Sequence, residues 1–250
     1  MSRQDASALV VIPTYDEAEN IRTIIDAVLG AVPDAHVLVV DDGSPDGTGD
    51  IVRAIGAEDD RVHLLQRSGK LGLGSAYVTG FRWGLERGYP LLVEMDADGS
   101  HPADRLPAMI DAVRSDADVL LAIGSRWVRG GSVVDWPLRR EVLSRGANTY
   151  ARLVLGIRVH DVTAGFRVYR AEAIAAMDLD AIDSKGYCFQ VDMTLRVDAQ
   201  GGRIVEVPIR FRDRLYGVSK MSGGIVVEAM LRVTQWGFQR RFGRRRPSRA

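Results

Sequence analysis

The stretch that decides the fold is Leu91-Leu92-Val93-Glu94-Met95-Asp96-Ala97-Asp98-Gly99-Ser100-His101-Pro102. A short apolar run, typical of a buried strand, ends in two carboxylates, Asp96 and Asp98, and turn residues follow. In an open α/β sheet, ligands bind outside the carboxyl ends of the strands, so both carboxylates are expected at a ligand site. Clustered oxygen ligands suit a hard cation such as Mg²⁺ or Mn²⁺, especially one shared with phosphate oxygens. For so short a motif, an acidic turn that caps the next helix is the alternative.

Short apolar runs alternate with helix-periodic segments on both sides of this stretch. Buried strands are predicted at residues 8–12, 36–40, 62–65 and 119–123, and an alternating strand at 203–211. Helices are predicted at residues 20–29, 74–86, 103–113, 141–155 and 189–199. This order predicts an α/β fold in which a mostly parallel, Rossmann-like sheet carries helices on both faces.

Polar, Gly-rich loops follow several of the predicted strands. The loop from Asp42 to Gly47 matches the start of an EF-hand, but the twelfth position would be Arg53 where a bidentate Glu is required. The loop from Gly69 to Gly74 lacks the residues that complete a Walker loop or a dinucleotide fingerprint. A Gly-rich turn before a helix can still present amide groups to a phosphate. Ordinary turn chemistry is the alternative for both loops.

Composition is that of a soluble globular protein. The chain has 250 residues, 46% of them hydrophobic and 26% charged, which is enough for one large domain with a full core. Its longest apolar runs, about five to six residues, fall far short of the ~20 that span a bilayer. With no leader sequence at the start and a single cysteine, Cys188, a cytosolic location without an internal disulfide is expected.

The net charge of zero conceals a basic C-terminus. The last eleven residues contain no acid and six arginines, which are Arg240, Arg241, Arg244, Arg245, Arg246 and Arg249. Apolar residues crowd the preceding segment, 225–238, and predict an amphipathic helix. Such a segment suits an anionic membrane surface, and a helix packed on the domain with a disordered basic tail is the alternative. We therefore divide the chain into a main domain, 1–221, and a C-terminal segment, 222–250, of amphipathic helix and Arg-rich tail.

Seven motifs follow one another between residues 8 and 221. They are PTYDE (13–17), DDGSPDGT (41–48), RSGKLGLG (67–74), MDADGSHP (95–102), GSR (124–126), DVTAGFR (161–167) and DRLYGVSK (213–220). In identity and order they resemble the family-two glycosyltransferases, and within them the dolichyl- or polyprenyl-phosphate mannosyltransferases. The resemblance implies a GT-A type fold and makes residues 1–221 the catalytic domain.

The resemblance also implies an activity, which is the inverting transfer of mannose from GDP-mannose to a polyprenyl phosphate. It implies Mg²⁺ or Mn²⁺ bound by Asp96, Asp98 and position 100, which is Ser100 here and Gln in some relatives. The residues implied to bind the donor nucleotide are Pro13, Tyr15, Glu17, Asp42, Lys70, Asp96 and Ala97. Those implied to bind the acceptor phosphate are Arg126, Arg140, Ser144, Arg214 and Lys220. The residues expected to be catalytic are Asp98, Arg126, Arg214 and Lys220.

The chemistry of this transfer fits the residue types. A divalent ion neutralises the charge that grows on the departing diphosphate, while the sugar carbon passes through an oxocarbenium-like state. The acceptor phosphate, with a second pKa of about 6, is already a dianionic nucleophile near neutral pH, so no general base is required. Cations must instead hold the acceptor in line, which is the task expected of the arginines and Lys220. His101, which follows the carboxylates, is predicted to be structural.

Four other activities are weighed against this one. A polyprenyl-phosphate glucosyltransferase using UDP-glucose stays open, because base and sugar selectivity depend on pocket shape. A processive polysaccharide synthase is disfavoured, since no Gln-x-x-Arg-Trp motif occurs. A catalytically silent, membrane-associated GT-A adaptor is disfavoured because no motif carboxylate or arginine is lost. Nucleic-acid binding is disfavoured because the basic tail lacks interleaved aromatic residues. The expected location is peripheral, on the cytoplasmic face of a membrane, with contact through the C-terminal segment.

Overall fold

A computed structural model describes residues 6–182, 187–213 and 223–242, and its backbone is organised around a central sheet. The strands are β1 (Leu9–Thr14), β2 (His36–Asp41), β3 (Val62–Gln66), β4 (Leu91–Glu94), β5 (Val119–Ser125), β6 (Ser132–Val134), β7 (Arg167–Arg170), β8 (Arg203–Pro208) and β9 (Arg210–Arg212). Seven of them form the main sheet in the order β3-β2-β1-β4-β7-β5-β8. Its neighbours run parallel except around β7, which is antiparallel to both β4 and β5. The predicted mostly parallel sheet is confirmed.

Helices cover both faces of the sheet, as predicted. They are α1 (Ile21–Ala31), α2 (Thr48–Glu58), α3 (Leu73–Leu85), α4 (Leu106–Arg114), α5 (Leu138–Leu155), α6 (Ala171–Ala175), α7 (Tyr187–Ala199) and α8 (Gly223–Phe242), with a 3₁₀ turn at Ala103–Arg105. Successive strand residues point to opposite faces, so Val10 packs with α1, α2 and α4 while Val11 packs with α3, α5 and α7. A core on each face explains why the strand sequences are continuously apolar.

Two predicted element boundaries are wrong. The strand expected at 203–211 divides after Pro208, and β9 pairs instead with β6 in a separate two-stranded sheet. Proline has no N–H to continue a ladder, which explains the division. Helix α5 begins at Leu138 rather than at residue 141, because the Pro137 carbonyl accepts the first hydrogen bonds of the helix.

Helix α8 packs on the domain along one face and exposes the other. Val233 is buried, and both Val233 and Trp236 pack on the core that contains Val11. Arg240 pairs with Asp198 of α7 at 2.7 Å. On the opposite face Leu231 is 66% exposed and Phe238 is 65% exposed. No helix within the described residues has the length and apolar content needed to cross a bilayer.

Candidate active site

One cavity at the carboxyl ends of the sheet strands collects all six of the described residues that were predicted to bind metal or acceptor. Strand β4 leads into the loop with Asp96, Asp98 and Ser100, strand β5 leads into Arg126, and α5 supplies the remaining side chains. The predicted residues that line this cavity are Asp96, Asp98, Ser100, Arg126, Arg140 and Ser144. Arg214 and Lys220 lie outside the described residues. The sheet thus brings the expected metal ligands and phosphate ligands to one place.

The Asp96 carboxylate is held by two side chains that carry no obvious signal in the sequence. Tyr77 of α3 donates its hydroxyl hydrogen to Asp96 Oδ1 at 2.8 Å. The Asp96 amide donates to His101 Nδ1 at 3.0 Å, so the ring proton sits on Nε2, which lies 4.0 Å from Asp96 Oδ2. His101 is itself fixed by stacking on Phe166, with ring centroids 5.1 Å apart. His101, predicted to be structural, therefore orients an expected metal ligand.

Tyr77 keeps its proton throughout the physiological pH range. Burial, together with the charges of Asp96 and Glu94, raises the pKa of the Tyr77 hydroxyl well above its ordinary value. The phenol is therefore always available as a donor to Asp96. No sequence pattern could have singled it out, since Tyr77 lies within a helix far from the carboxylate motif.

Asp98 is oriented by the residue that was predicted to be the third metal ligand. Its Oδ1 accepts the Ser100 amide at 3.0 Å and the Ser100 hydroxyl at 2.5 Å, and both residues are buried. The serine hydroxyl is thus turned toward the carboxylate. Whether Ser100 also contacts a metal stays a prediction.

The donor set fits a cation that takes part of its coordination from substrate. Among the residues with described positions, no group of three or more His, Cys, Asp and Glu side chains is arranged to hold a metal ion by itself. Mg²⁺ is commonly bound by one or two carboxylates plus substrate phosphates and water. Asp96 and Asp98 supply that many carboxylates, so they would hold such an ion once a diphosphate is present.

Arg126, which lines the same cavity, is locked in place by a buried carboxylate. Its Nε donates to Asp161 Oδ2 at 2.8 Å, and its Nη2 donates to Asp161 Oδ1 at 2.6 Å and to Thr163 Oγ1 at 3.0 Å. Asn148 of α5 donates to the same Thr163 oxygen at 3.0 Å and accepts the Thr163 amide at 3.2 Å. The DVTAGFR motif therefore positions the guanidinium, a function that its sequence did not reveal.

Aromatic rings surround both arginines of the cavity. The Arg126 guanidinium carbon lies 5.3 Å from the Phe211 ring centroid, and that of Arg140 lies 3.9 Å from the Trp136 centroid. Arg140 also donates to Asp213 at 2.8 Å. These contacts orient the guanidinium planes, which are suited to bidentate recognition of phosphate.

The residues predicted to bind the nucleotide lie in loops at the same edge of the sheet. Asp42, after β2, accepts Arg67 Nε at 2.6 Å and the Leu71 amide at 3.2 Å. Lys70 Nζ lies 4.0 Å from the ring centroid of Tyr15. None of these three residues lines the cavity that holds Asp96 and Arg126. Arg67, a part of the RSGKLGLG motif that was given no role, fixes the Asp42 carboxylate.

Three predicted donor-binding residues remain, which are Pro13, Glu17 and Ala97. Pro13 pairs with Val40 between β1 and β2. The Glu17 amide donates to Thr48 Oγ1 at 3.0 Å, which ties the loop after β1 to the start of α2. Ala97 is buried between the two aspartates of the metal motif.

Glu94, at the end of β4, is a fully buried carboxylic acid near the metal motif. The Tyr169 hydroxyl and the Gln190 side chain lie near its carboxylate and favour the charged form, although neither carboxylate oxygen meets strict hydrogen-bond geometry among the described residues. Burial raises the pKa of Glu94 to about 7, against the opposing effect of the Arg167 charge. The sequence presented Glu94 only as the last residue of an apolar run.

Known proteins similar to this chain are glycosyltransferases. Residues 9–177 match the family model described as glycosyl transferase family 2. A polyprenol monophosphomannose synthase of Mycolicibacterium smegmatis is 55% identical over 98% of this chain and 92% of its own length. An undecaprenyl-phosphate mannosyltransferase of Micrococcus luteus is 56% identical over 94% of this chain and 95% of its own length.

A solved structure shares the fold at low sequence identity. It is a mannosyltransferase from Pyrobaculum calidifontis in complex with GDP-Man and Mn²⁺. The two superpose with a TM-score of 0.60 and 19% identity, covering 96% of this chain and 66% of the other.

Proposed function

This chain belongs to glycosyltransferase family 2, and we propose that it transfers mannose from GDP-mannose to the phosphate of a polyprenyl phosphate, with inversion and with a divalent metal ion. Its fold is of the GT-A type that the resemblance implied. The names of the two relatives, each more than half identical over nearly the whole chain, support the mannosyl group and the prenyl phosphate. The GDP-Man and Mn²⁺ bound by the Pyrobaculum enzyme support the donor and the metal.

The observation that carries this proposal is the shared cavity. Asp96, Asp98, Arg126, Arg140 and Ser144 all line it. A divalent ion held by the two aspartates would neutralise the charge on the departing nucleoside diphosphate. Arg126, Arg140 and Ser144 offer N–H and O–H donors to a second phosphate. Two phosphate-bearing substrates can therefore meet in one space.

In the proposed reaction, an oxygen of the acceptor phosphate attacks the anomeric carbon of the sugar while the bond to the nucleoside diphosphate breaks. Arg126 is already paired with Asp161 and Arg140 with Asp213, so each guanidinium is held in a fixed orientation. We infer that the protein contributes mainly orientation here, because the dianionic phosphate needs no base. Attack from the face opposite the departing group accounts for inversion.

The division into a catalytic domain, 1–221, and a C-terminal segment, 222–250, remains part of the proposal. So does peripheral attachment on the cytoplasmic face of a membrane. The apolar side chains on the outer face of α8 and the arginines that follow them support contact with anionic lipid.

A donor screen tests the proposed function. Purified protein is given polyprenyl phosphate with GDP-mannose, UDP-glucose or other nucleotide sugars, with Mg²⁺, Mn²⁺ or EDTA. We expect a mannosyl phosphate lipid from GDP-mannose with either metal and no product with EDTA. Product formed from UDP-glucose alone would replace the proposal with the glucosyl activity. Product formed in the presence of EDTA would contradict the metal requirement.

A further inference from the structure

The cavity that holds the aspartates and arginines continues away from them as an apolar groove. Beyond the polar end, Leu143, Ala147 and Ala151 of α5 form one wall. Met230 and Val233 of α8 form the facing wall. We call this part of the cavity the α5–α8 groove. Its walls carry no charged side chain, in contrast with the polar end.

The two helices are closed together at one end of this groove. The Tyr150 hydroxyl of α5 hydrogen bonds with the Thr234 hydroxyl of α8 at 2.6 Å. Apart from Ser144 at the polar end, Tyr150 is the only hydroxyl-bearing residue of α5 in the described lining, and its hydroxyl is therefore already bonded. A Cβ on Gly237 would lie 2.5 Å from Val154 Cγ1, so the helices touch there. Tyr150 contacts Thr234, and further along both helices Val154 contacts Gly237, so α5 and α8 run parallel.

At its other end the groove opens to the surface. Leu143 and Met230 both line the cavity, yet they are 46% and 43% exposed respectively. Leu138 and Val142 extend the apolar surface outside this opening along α5. The groove is therefore closed at the end away from the arginines and opens to the surface beside Ser144, so a chain whose phosphate lies at the arginines can occupy the groove and leave it past Leu143 and Met230.

We propose that the α5–α8 groove binds the first isoprene units of the acceptor, while the phosphate lies at Arg126, Arg140 and Ser144. This inference rests on the proposed function and adds to it the part of the protein that recognises the lipid chain. An apolar wall whose hydroxyl is already bonded suits a hydrocarbon chain. A sugar or other polyhydroxylated acceptor would leave its own hydroxyls without partners there.

The test uses GDP-mannose and a series of prenyl phosphates with one, two, three and four isoprene units, kept below their aggregation limit. For the wild-type chain we expect kcat/KM to rise by about tenfold or more with each of the first two added units, because each buries apolar surface. The rise should level off once the chain extends beyond Leu143 and Met230. The measured quantity is the ratio of kcat/KM for three units over one unit.

Two variants fill the groove from opposite walls, and a third adds the same bulk outside it. Ala147→Phe and Met230→Trp should reduce that ratio to about threefold or less. Thr149→Phe, whose side chain is exposed on α5 away from the groove, should keep the wild-type ratio. Thermal unfolding of each variant identifies any that fail to fold, and two independent walls leave one usable variant if the other fails.

The outcomes separate this inference from the proposed function. If the wild-type chain transfers mannose to no prenyl phosphate, the proposed function fails. If it transfers mannose without regard to chain length, or if both filled variants keep the wild-type ratio, the groove does not bind the chain although the function stands. An equally reduced ratio in Thr149→Phe would also overturn the inference, because the effect of added bulk would then not depend on the groove.

Discussion

The carboxylates of Asp96 and Asp98, the expected metal ligands, are held in fixed orientations by neighbouring side chains. We expect Asp98→Asn to reduce transfer by at least ~100-fold, because one of the two expected metal ligands loses its charge. The fold should persist, since the substitution keeps the shape of a loop residue. Metal affinity, measured by calorimetry with Mn²⁺ and GDP, should fall with activity. Unchanged activity at ordinary Mn²⁺ concentrations would contradict the metal site.

Ser100→Ala is the matched variant for the third position. If Ser100 only orients Asp98, metal affinity should fall by about tenfold, in the lower part of the range for groups that support a ligand. A loss as large as that of Asp98→Asn would instead make Ser100 a ligand in its own right.

Glu94 makes stability depend on pH. Its pKa is raised in the folded protein from 4.5 to about 7, so the folded state binds more protons than the unfolded state between these values. Stability from this group is therefore full below pH 4.5 and is lost as pH rises through about 7. The unfolding free energy of Glu94→Gln minus that of the wild type should therefore be about 3 kcal/mol larger at pH 8 than at pH 5. Urea unfolding of both proteins at both pH values measures it, and an equal difference at the two pH values would contradict it.

The buried pair of Arg126 and Asp161 separates stability from function. Asp161→Asn should cost about 3–5 kcal/mol, because it leaves Arg126 buried without its counter-charge. The double variant Arg126→Met with Asp161→Leu should recover most of that stability while transfer stays lost, since no guanidinium remains for the acceptor. Chemical unfolding and transfer assays on the three proteins check this, and recovery of activity in the double variant would remove Arg126 from the site.

At the scale of elements, two helical glycines differ in what surrounds them. Gly237→Ala should lower stability by about 1–3 kcal/mol, since its Cβ would lie 2.5 Å from Val154 Cγ1 and 2.7 Å from the Val154 carbonyl oxygen. Gly146→Ala on α5 is the control, because a Cβ there meets nothing within 4 Å. That variant should gain about 0.5–1 kcal/mol from helix propensity. Thermal unfolding measures both, and equal stabilisation by the two substitutions would show that α5 and α8 are not in close contact at Gly237.

The strand–helix alternation could be predicted because each element repeats its own hydrophobic period. The insertion of β7 between β4 and β5 could not, since the choice of neighbour is a tertiary property that a strand's own residues do not encode. The site shows the same division. The sequence placed Asp96, Asp98 and Arg126 in motifs, whereas Tyr77 and Asn148 lie in no motif and acquire their roles only when separate elements pack together. Asp161 does lie in a motif, but its pairing with Arg126 is visible only in the folded chain.

For the molecule as a whole, the positive charge at the C-terminus offsets a negative body. Removing residues 243–250 deletes four arginines and changes the net charge from zero to minus four. We expect the shortened protein to lose binding to anionic vesicles at low salt, because each basic residue near such lipid contributes about 1 kcal/mol. Screening over a Debye length of about 8 Å should narrow the difference at physiological salt.

Co-sedimentation with vesicles at both salt concentrations measures this binding. Neutral vesicles are the control, and they should bind the two proteins equally. Equal binding of both proteins to anionic vesicles at low salt would assign membrane contact to another part of the chain.

The antiparallel strand β7 has a consequence for how the protein is made. Strands β4 and β5 are synthesised before β7, yet neither lies beside the other in the finished sheet. A nascent chain that ends before Arg167 therefore contains the four-stranded part β3-β2-β1-β4 and a strand β5 that lacks both of its neighbours, β7 and β8. Domains fold during synthesis from the N-terminus onward, so strands β1 to β4 can pair early, whereas the site cannot form before β7 is made. The cavity is completed later still, because Val191 of α7, Phe211 of β9 and Val233 of α8 also line it and are synthesised after β7.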